Sequence, residues 1–178
     1  VPGLTHETYV PRGGTPLIDA AYKTIQAVER KVSGMPLAPK VVICIQTDGE
    51  ENSSREHTWA QLSELIAGKQ AAGWQFNFMG VGLAAYQQAA RMGVGVASAM
   101  SYDIADAASA REAFRASADN AQDFRRARRE STAYSPAQKV AAGDRFLDLA
   151  ASAVLAPSTG PVPGAPQPAR LVEHDVEL

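Results

Sequence analysis

The groups best suited to chemistry lie in loops and helix ends. Gly80-Val81-Gly82-Leu83-Ala84-Ala85 has the form G-x-G-x-x-A between an apolar stretch and a helical one, and Asp103 lies about 20 residues on. Such a turn lets the backbone approach a pyrophosphate at a helix N-terminus while the carboxylate bonds a ribose hydroxyl. A Rossmann-like nucleotide-binding enzyme is therefore one expectation, although no paired His or Lys follows to supply catalysis. Thr15 before Pro16 fits a helix N-cap followed by a first-turn proline. Asp48-Gly49 after an apolar run fits a strand-ending turn whose carboxylate bonds nearby backbone. Glu50 and Glu51 adjoin that turn, as an acid–base pair or, preferably, as partners of the following helix N-terminus or as solvated groups. Arg111, Arg115, Arg125, Arg126, Arg128 and Arg129 could fork onto phosphates, but Glu112, Asp119, Asp123 and Glu130 interleave with them, so a solvated helix face is expected. His6, His57 and His174 are scattered without zinc-ligand spacing and are expected to be exposed. No Gly-x-Ser-x-Gly elbow supports a nucleophilic serine.

These groups must be positioned by alternating helices and strands. Ile18, Ala21, Ile25, Val28 and Val32 recur at steps of three and four, predicting a helix over 16–32 that Gly34 and Pro36 stop. Residues 41–45 are apolar at every position, the pattern of a central parallel strand covered on both faces. Ser53 and Glu56 have capping-box spacing ahead of a helix through Trp59, Leu62, Leu65 and Ile66 that ends at Gly73. Further elements are expected at 75–79 (strand), 83–92 (helix), 94–102 (strand) and 104–129 (helix). Ser135-Pro136 opens a last helix towards Leu155 with a weak point at Gly143. Strands separated by helices predict an α/β fold, a Rossmann-like doubly wound parallel sheet.

The loops around Thr15 and Asp48, in this order and with a helix between them, resemble two of the three metal-site loops of the von Willebrand factor A domain family. The segments that carry the resemblance are Gly13-Gly14-Thr15-Pro16-Leu17-Ile18-Asp19-Ala20 and Val41-Val42-Ile43-Cys44-Ile45-Gln46-Thr47-Asp48-Gly49-Glu50-Glu51-Asn52, and it spans about 10–146. The family's third loop, an Asp-x-Ser-x-Ser after the first strand, is not found, so the reading is of an A domain missing its first strands. The resemblance implies Thr15 and Asp48 as ligands of an incomplete site, with Glu50 as a possible neighbour, for Mg²⁺ or Mn²⁺ held weakly. It further implies a non-enzymatic protein-interaction module whose partner offers an acidic side chain, or alternatively a remnant without binding activity. The family's first strand lies beside 41–45, so a chain supplying the missing strands is a further expected partner.

Bulk properties narrow the field. The chain has 178 residues, 46% hydrophobic and 20% charged, which suits one globular domain. We expect that domain over 1–155, with a disordered Pro/Gly-rich tail over 156–178 that ends acidic. A net charge of −2 offers no overall attraction for nucleic acid or an anionic membrane surface, and no apolar run reaches membrane-spanning length. Cys44, the single cysteine, is expected as a buried inert thiol in a cytoplasmic protein.

Overall fold

A computed structural model of the chain describes residues 13–149, and the expectations for 150–155, for the 156–178 tail, and for His6 and His174 lie outside them. The order of elements is α1 (Leu17–Val32), β1 (Val42–Gln46), α2 (Trp59–Ala71), β2 (Gln75–Gly80), α3 (Gly82–Arg91), β3 (Ala99–Ser101), α4 (Ala107–Arg125) and α5 (Pro136–Ala141). A short 3₁₀ turn at Val96–Ser98 precedes β3. The three strands form an all-parallel sheet in the order β1-β2-β3, with helices between successive strands, a Rossmann-like α/β arrangement.

Alternation along the strands assigns side chains to two cores. Ile43, Ile45, Phe76 and Phe78 face Ile25 of α1, Leu62 and Ile66 of α2, and Ala85 and Ala89 of α3. Met79 and Met100 point the other way, where Ala113 and Ala116 of α4, Tyr134 and Ala142 cover them. A parallel sheet with helices on both faces is buried most completely at its centre, and that centre is β2.

The apolar run at 41–45 suits a central strand, but with the first strands expected to be missing it should lie at an edge, and among the described residues it does. Among the described residues β1 has a neighbour on one side alone, and Cys44 is exposed rather than buried, while Ile43 and Ile45 are buried. Its all-apolar sequence reports side-chain type, whereas position in the sheet is set by which strand pairs with it.

Several boundaries also move. α2 is capped by Thr58 and Gln61, whose side chains bond each other's backbone N–H groups, and not by Ser53 and Glu56. α4 begins when Asp106 accepts from the N–H groups of Ala108 and Ser109, and it ends before Arg126, with Ala127 at φ 56°. Ser135 and Gln138 form a capping box on α5, but Gly143 at φ 74° lies just past its end, so the expected run towards Leu155 does not continue as one helix. Among the described residues no helix is long and apolar enough to cross a membrane.

Candidate functional site

The carboxyl end of β1 brings together two loops that are more than thirty residues apart. Thr15 N–H donates to Asn52 Oδ1 at 2.8 Å and Asn52 N–H donates to the Thr15 carbonyl at 3.2 Å, a reciprocal pair that locks the loop before α1 onto the loop after β1. A β-carbon placed on Gly49 would lie 3.2 Å from Thr15 Oγ1, so the hydroxyl sits against the backbone next to Asp48.

Both ordinary structural roles for these two side chains are filled by others. The residue capping α1 is Pro16, with no side-chain cap bond, and it is Glu51 Oε2 that accepts from Ile18 N–H at 2.8 Å. The turn after β1 is held by Thr47, whose Oγ1 accepts from Gly49 N–H and donates to the Gly49 carbonyl. Asp48 and Glu50 are exposed, and no donor among the described residues engages either carboxylate. Ser53 Oγ is buried against Gly14 without a hydrogen-bond partner among the described residues.

Glu51 is a different kind of group. Its carboxylate also accepts from the N–H groups of Ser53 and Ser54 and from the Ser54 hydroxyl. Burial pushes its pKa up, but the Ser54 hydroxyl and the backbone donors outweigh that and leave it below the ordinary glutamate value. This corrects the expectation that Glu51 serves the following helix: it serves the N-terminus of α1, behind it in sequence.

Asp19 completes the lock and had no role in the sequence reading. It accepts from the N–H groups of Arg55, Glu56 and His57 and contacts His57 Nδ1 at 3.1 Å. The Arg55 N–H first, and the neighbouring donors with it, hold its pKa at about 2 against an opposing effect of burial. His57 stacks on Tyr22 with ring centroids 3.8 Å apart, so it is half-buried, not exposed as expected.

The glycine-rich turn occupies the strand-to-helix position that its form requires. Gly82 opens α3 at φ 70°, and a β-carbon on Gly80 would come within 2.8 Å of Ala85 Cβ. Asp103 follows β3, where its Oδ1 accepts from Ala105 N–H. Of the arginines, Arg115 pairs with Glu112 and Arg128 with Asp123 as exposed ions, in keeping with a solvated face. Arg129 departs from it, half-buried with its guanidinium on Asn120 Oδ1 and the Ala133 carbonyl.

A second buried polar cluster joins α5 to α3 and β3. Tyr86 O–H donates to Asp144 Oδ2 at 2.5 Å, and Lys139 Nζ donates to the Tyr86 oxygen at 3.2 Å and to the Val96 carbonyl at 2.6 Å. Burial lowers the Lys139 pKa to about 8 although the Asp144 charge pulls it upward. No sequence motif marks it, because its members come from three separate elements.

Among the described residues no group of three or more His, Cys, Asp and Glu side chains could hold a metal ion. Of the residues expected as ligands, Thr15 has its hydroxyl against Gly49, while Asp48 and Glu50 are exposed on the same loop. No protein-family model matches this chain, and neither does any curated protein or solved structure.

Proposed function

We propose that this chain is a non-enzymatic protein-interaction module similar to a von Willebrand factor A domain, binding through the loops at the carboxyl end of β1. One observation supports the reading: the Thr15 hydroxyl lies against Gly49, the residue after Asp48, while Glu51 and Thr47 perform the capping and turn-forming tasks that would otherwise account for Thr15 and Asp48. Side-chain oxygens without a hydrogen bond among the described residues, with Ser53 Oγ buried against Gly14 and likewise unpaired among them, fit a hard divalent cation of the Mg²⁺ or Mn²⁺ type. When bound, such a cation supplies an open coordination position for an acidic side chain of a partner protein. Two protein ligands make weak binding the expectation.

Titration calorimetry of Mg²⁺ and Mn²⁺ into the chain tests this. Weak binding that disappears in Asp48→Ala and weakens in Thr15→Ala supports the reading; binding unaffected by either change refutes it. The Gly80–Gly82 turn supports a second reading, a nucleotide-binding enzyme, because it sits between β2 and α3 with Gly82 at positive φ. NAD or FAD should leave the melting temperature unchanged on the first reading. On the second, ligand at a hundred times its Kd adds about 2.7 kcal/mol.

A further inference from the structure

β1 exposes a pairing edge with its own charge pattern. Val41 accepts from Gln75 N–H at 2.9 Å and Thr47 donates to the Met79 carbonyl at 3.1 Å, so the odd-numbered residues of this stretch point their backbone groups at β2. Val42, Cys44 and Gln46 consequently turn their N–H and C=O groups to the open side, where no described strand lies. Two hollows meet along that side. One of about 690 Å³ lies between β1 and α4, with Met35, Val42, Cys44 and Phe114 in its lining; the other, about 210 Å³, lies between β1 and Leu17 and Ala21 of α1. Met35, Leu37 and Phe114 are exposed large apolar side chains. An edge of this kind recruits a strand.

Charge identifies the occupant. The hollow by α4 carries Lys31 and Lys40 near the start of β1 with Arg125 beside them, and no acidic residue lines it. The other end of β1 runs into exposed Asp48 and Glu50. The strand is thus cationic where it begins and anionic where it finishes, a pattern complementary to itself when reversed.

We propose that β1 pairs antiparallel with β1 of a second copy of this chain, about a two-fold axis at Cys44, to give one continuous six-stranded sheet. In that register Lys40 faces Asp48 of the partner subunit and Val42 faces Gln46 of the partner subunit. Parallel pairing would instead set like charges side by side. A two-fold interface uses the same patch on both subunits, which the alternating donors and acceptors of an edge strand satisfy. Cys44 becomes a hydrogen-bonded cross-strand pair with Cα atoms about 5.5 Å apart, within disulfide reach. The inference does not rest on the cation reading but shares Asp48 with it, so the experiment is run in EDTA to keep the two apart.

Sedimentation velocity on the full chain over a wide concentration range should give a reversible dimer that high salt weakens. Val42→Glu, set against the anionic end of the partner strand, and Gln46→Lys, set against its cationic end, add like charge without removing a bond to β2 and should yield monomer, with circular dichroism reporting that the fold is retained. Diamide at alkaline pH should accept two electrons and two protons from the paired thiols and leave a covalent dimer, absent in Cys44→Ser. A chain that stays monomeric throughout overturns the proposal, as does a dimer that tolerates both substitutions and forms no cross-link.

Discussion

Seven N–H or O–H donors converge on the carboxylates of Asp19 and Glu51, which tie the start of α1 to the chain after β1. An asparagine at position 19 offers one acceptor oxygen and an amide that faces donors, so Asp19→Asn should destabilise the chain at neutral pH. The pH dependence has a definite sign. Folded Asp19 ionises at about 2, against about 3.9 when unfolded, so its stabilisation is complete above about pH 4 and is lost as pH falls towards 2. Urea midpoints measured between pH 2 and 6 should fall more steeply for the native chain than for Asp19→Asn, and parallel curves would assign the acid loss to other groups. Thr15 and Asp48 stand out in the sequence because each sits in a short contiguous motif. Asp19 lies inside the same first motif and gave no signal, since its donors are 36 to 38 residues away and no local spacing encodes them. The same capture explains why Ser53 and Glu56 mislead as a capping box. Asp19 draws the N–H groups of 55–57 into a loop, and helix formation waits for Thr58 and Gln61.

At the level of elements, α3 lies on β2 at the closest distance that glycine permits. Gly80→Ala would place its new methyl against Ala85 and Phe78, with the Ala85 Cα at 3.3 Å, so the backbone itself would have to shift. A loss of about 1–3 kcal/mol is expected, measured by urea unfolding; an unchanged midpoint would mean that the helix can move away freely. The docking of α5 has its own pH signature. Burial lowers Lys139 to about 8, against about 10.4 unfolded, so the folded chain holds fewer protons in that interval and stability should climb from pH 8 towards 10. Burial raises the Tyr86 pKa, so above about pH 10 the unfolded tyrosine ionises first and stability should decline again. Lys139→Met should remove the climb and keep the decline, as urea midpoints across pH 7 to 11 would report. Helical periodicity located α1 to within a residue and the end of α2 to within two, because the buried face leaves a pattern, whereas the start of α2 was expected five residues too early. It could not distinguish an edge from a centre for β1, where an apolar residue at every position is compatible with cover that comes from elsewhere.

For the molecule as a whole, the question is whether the two cores act as one. The core under α1, α2 and α3 and the core under α4 and α5 are separated by the sheet, yet β2 supplies Phe76 and Phe78 to the first and Met79 to the second, and β3 supplies Ala99 and Met100 in the same way. Loss of either core would strip one face of the same two strands, so neither can melt and leave the other intact. The buried network that fixes Thr132 and Ala133 to Asn77 and Asn120 reinforces this, because it ties the loop after α4 to the middle of β2. Unfolding should therefore be a single cooperative transition. Leu62→Ala in the first core and Met100→Ala in the second, both fully buried, should each cost about 2–5 kcal/mol and shift the same transition. Far-ultraviolet circular dichroism and tryptophan fluorescence give independent probes, since Trp59 and Trp74 both belong to the first core. If Met100→Ala displaces the dichroism curve while leaving the fluorescence midpoint in place, the two faces unfold separately and the sheet does not couple them.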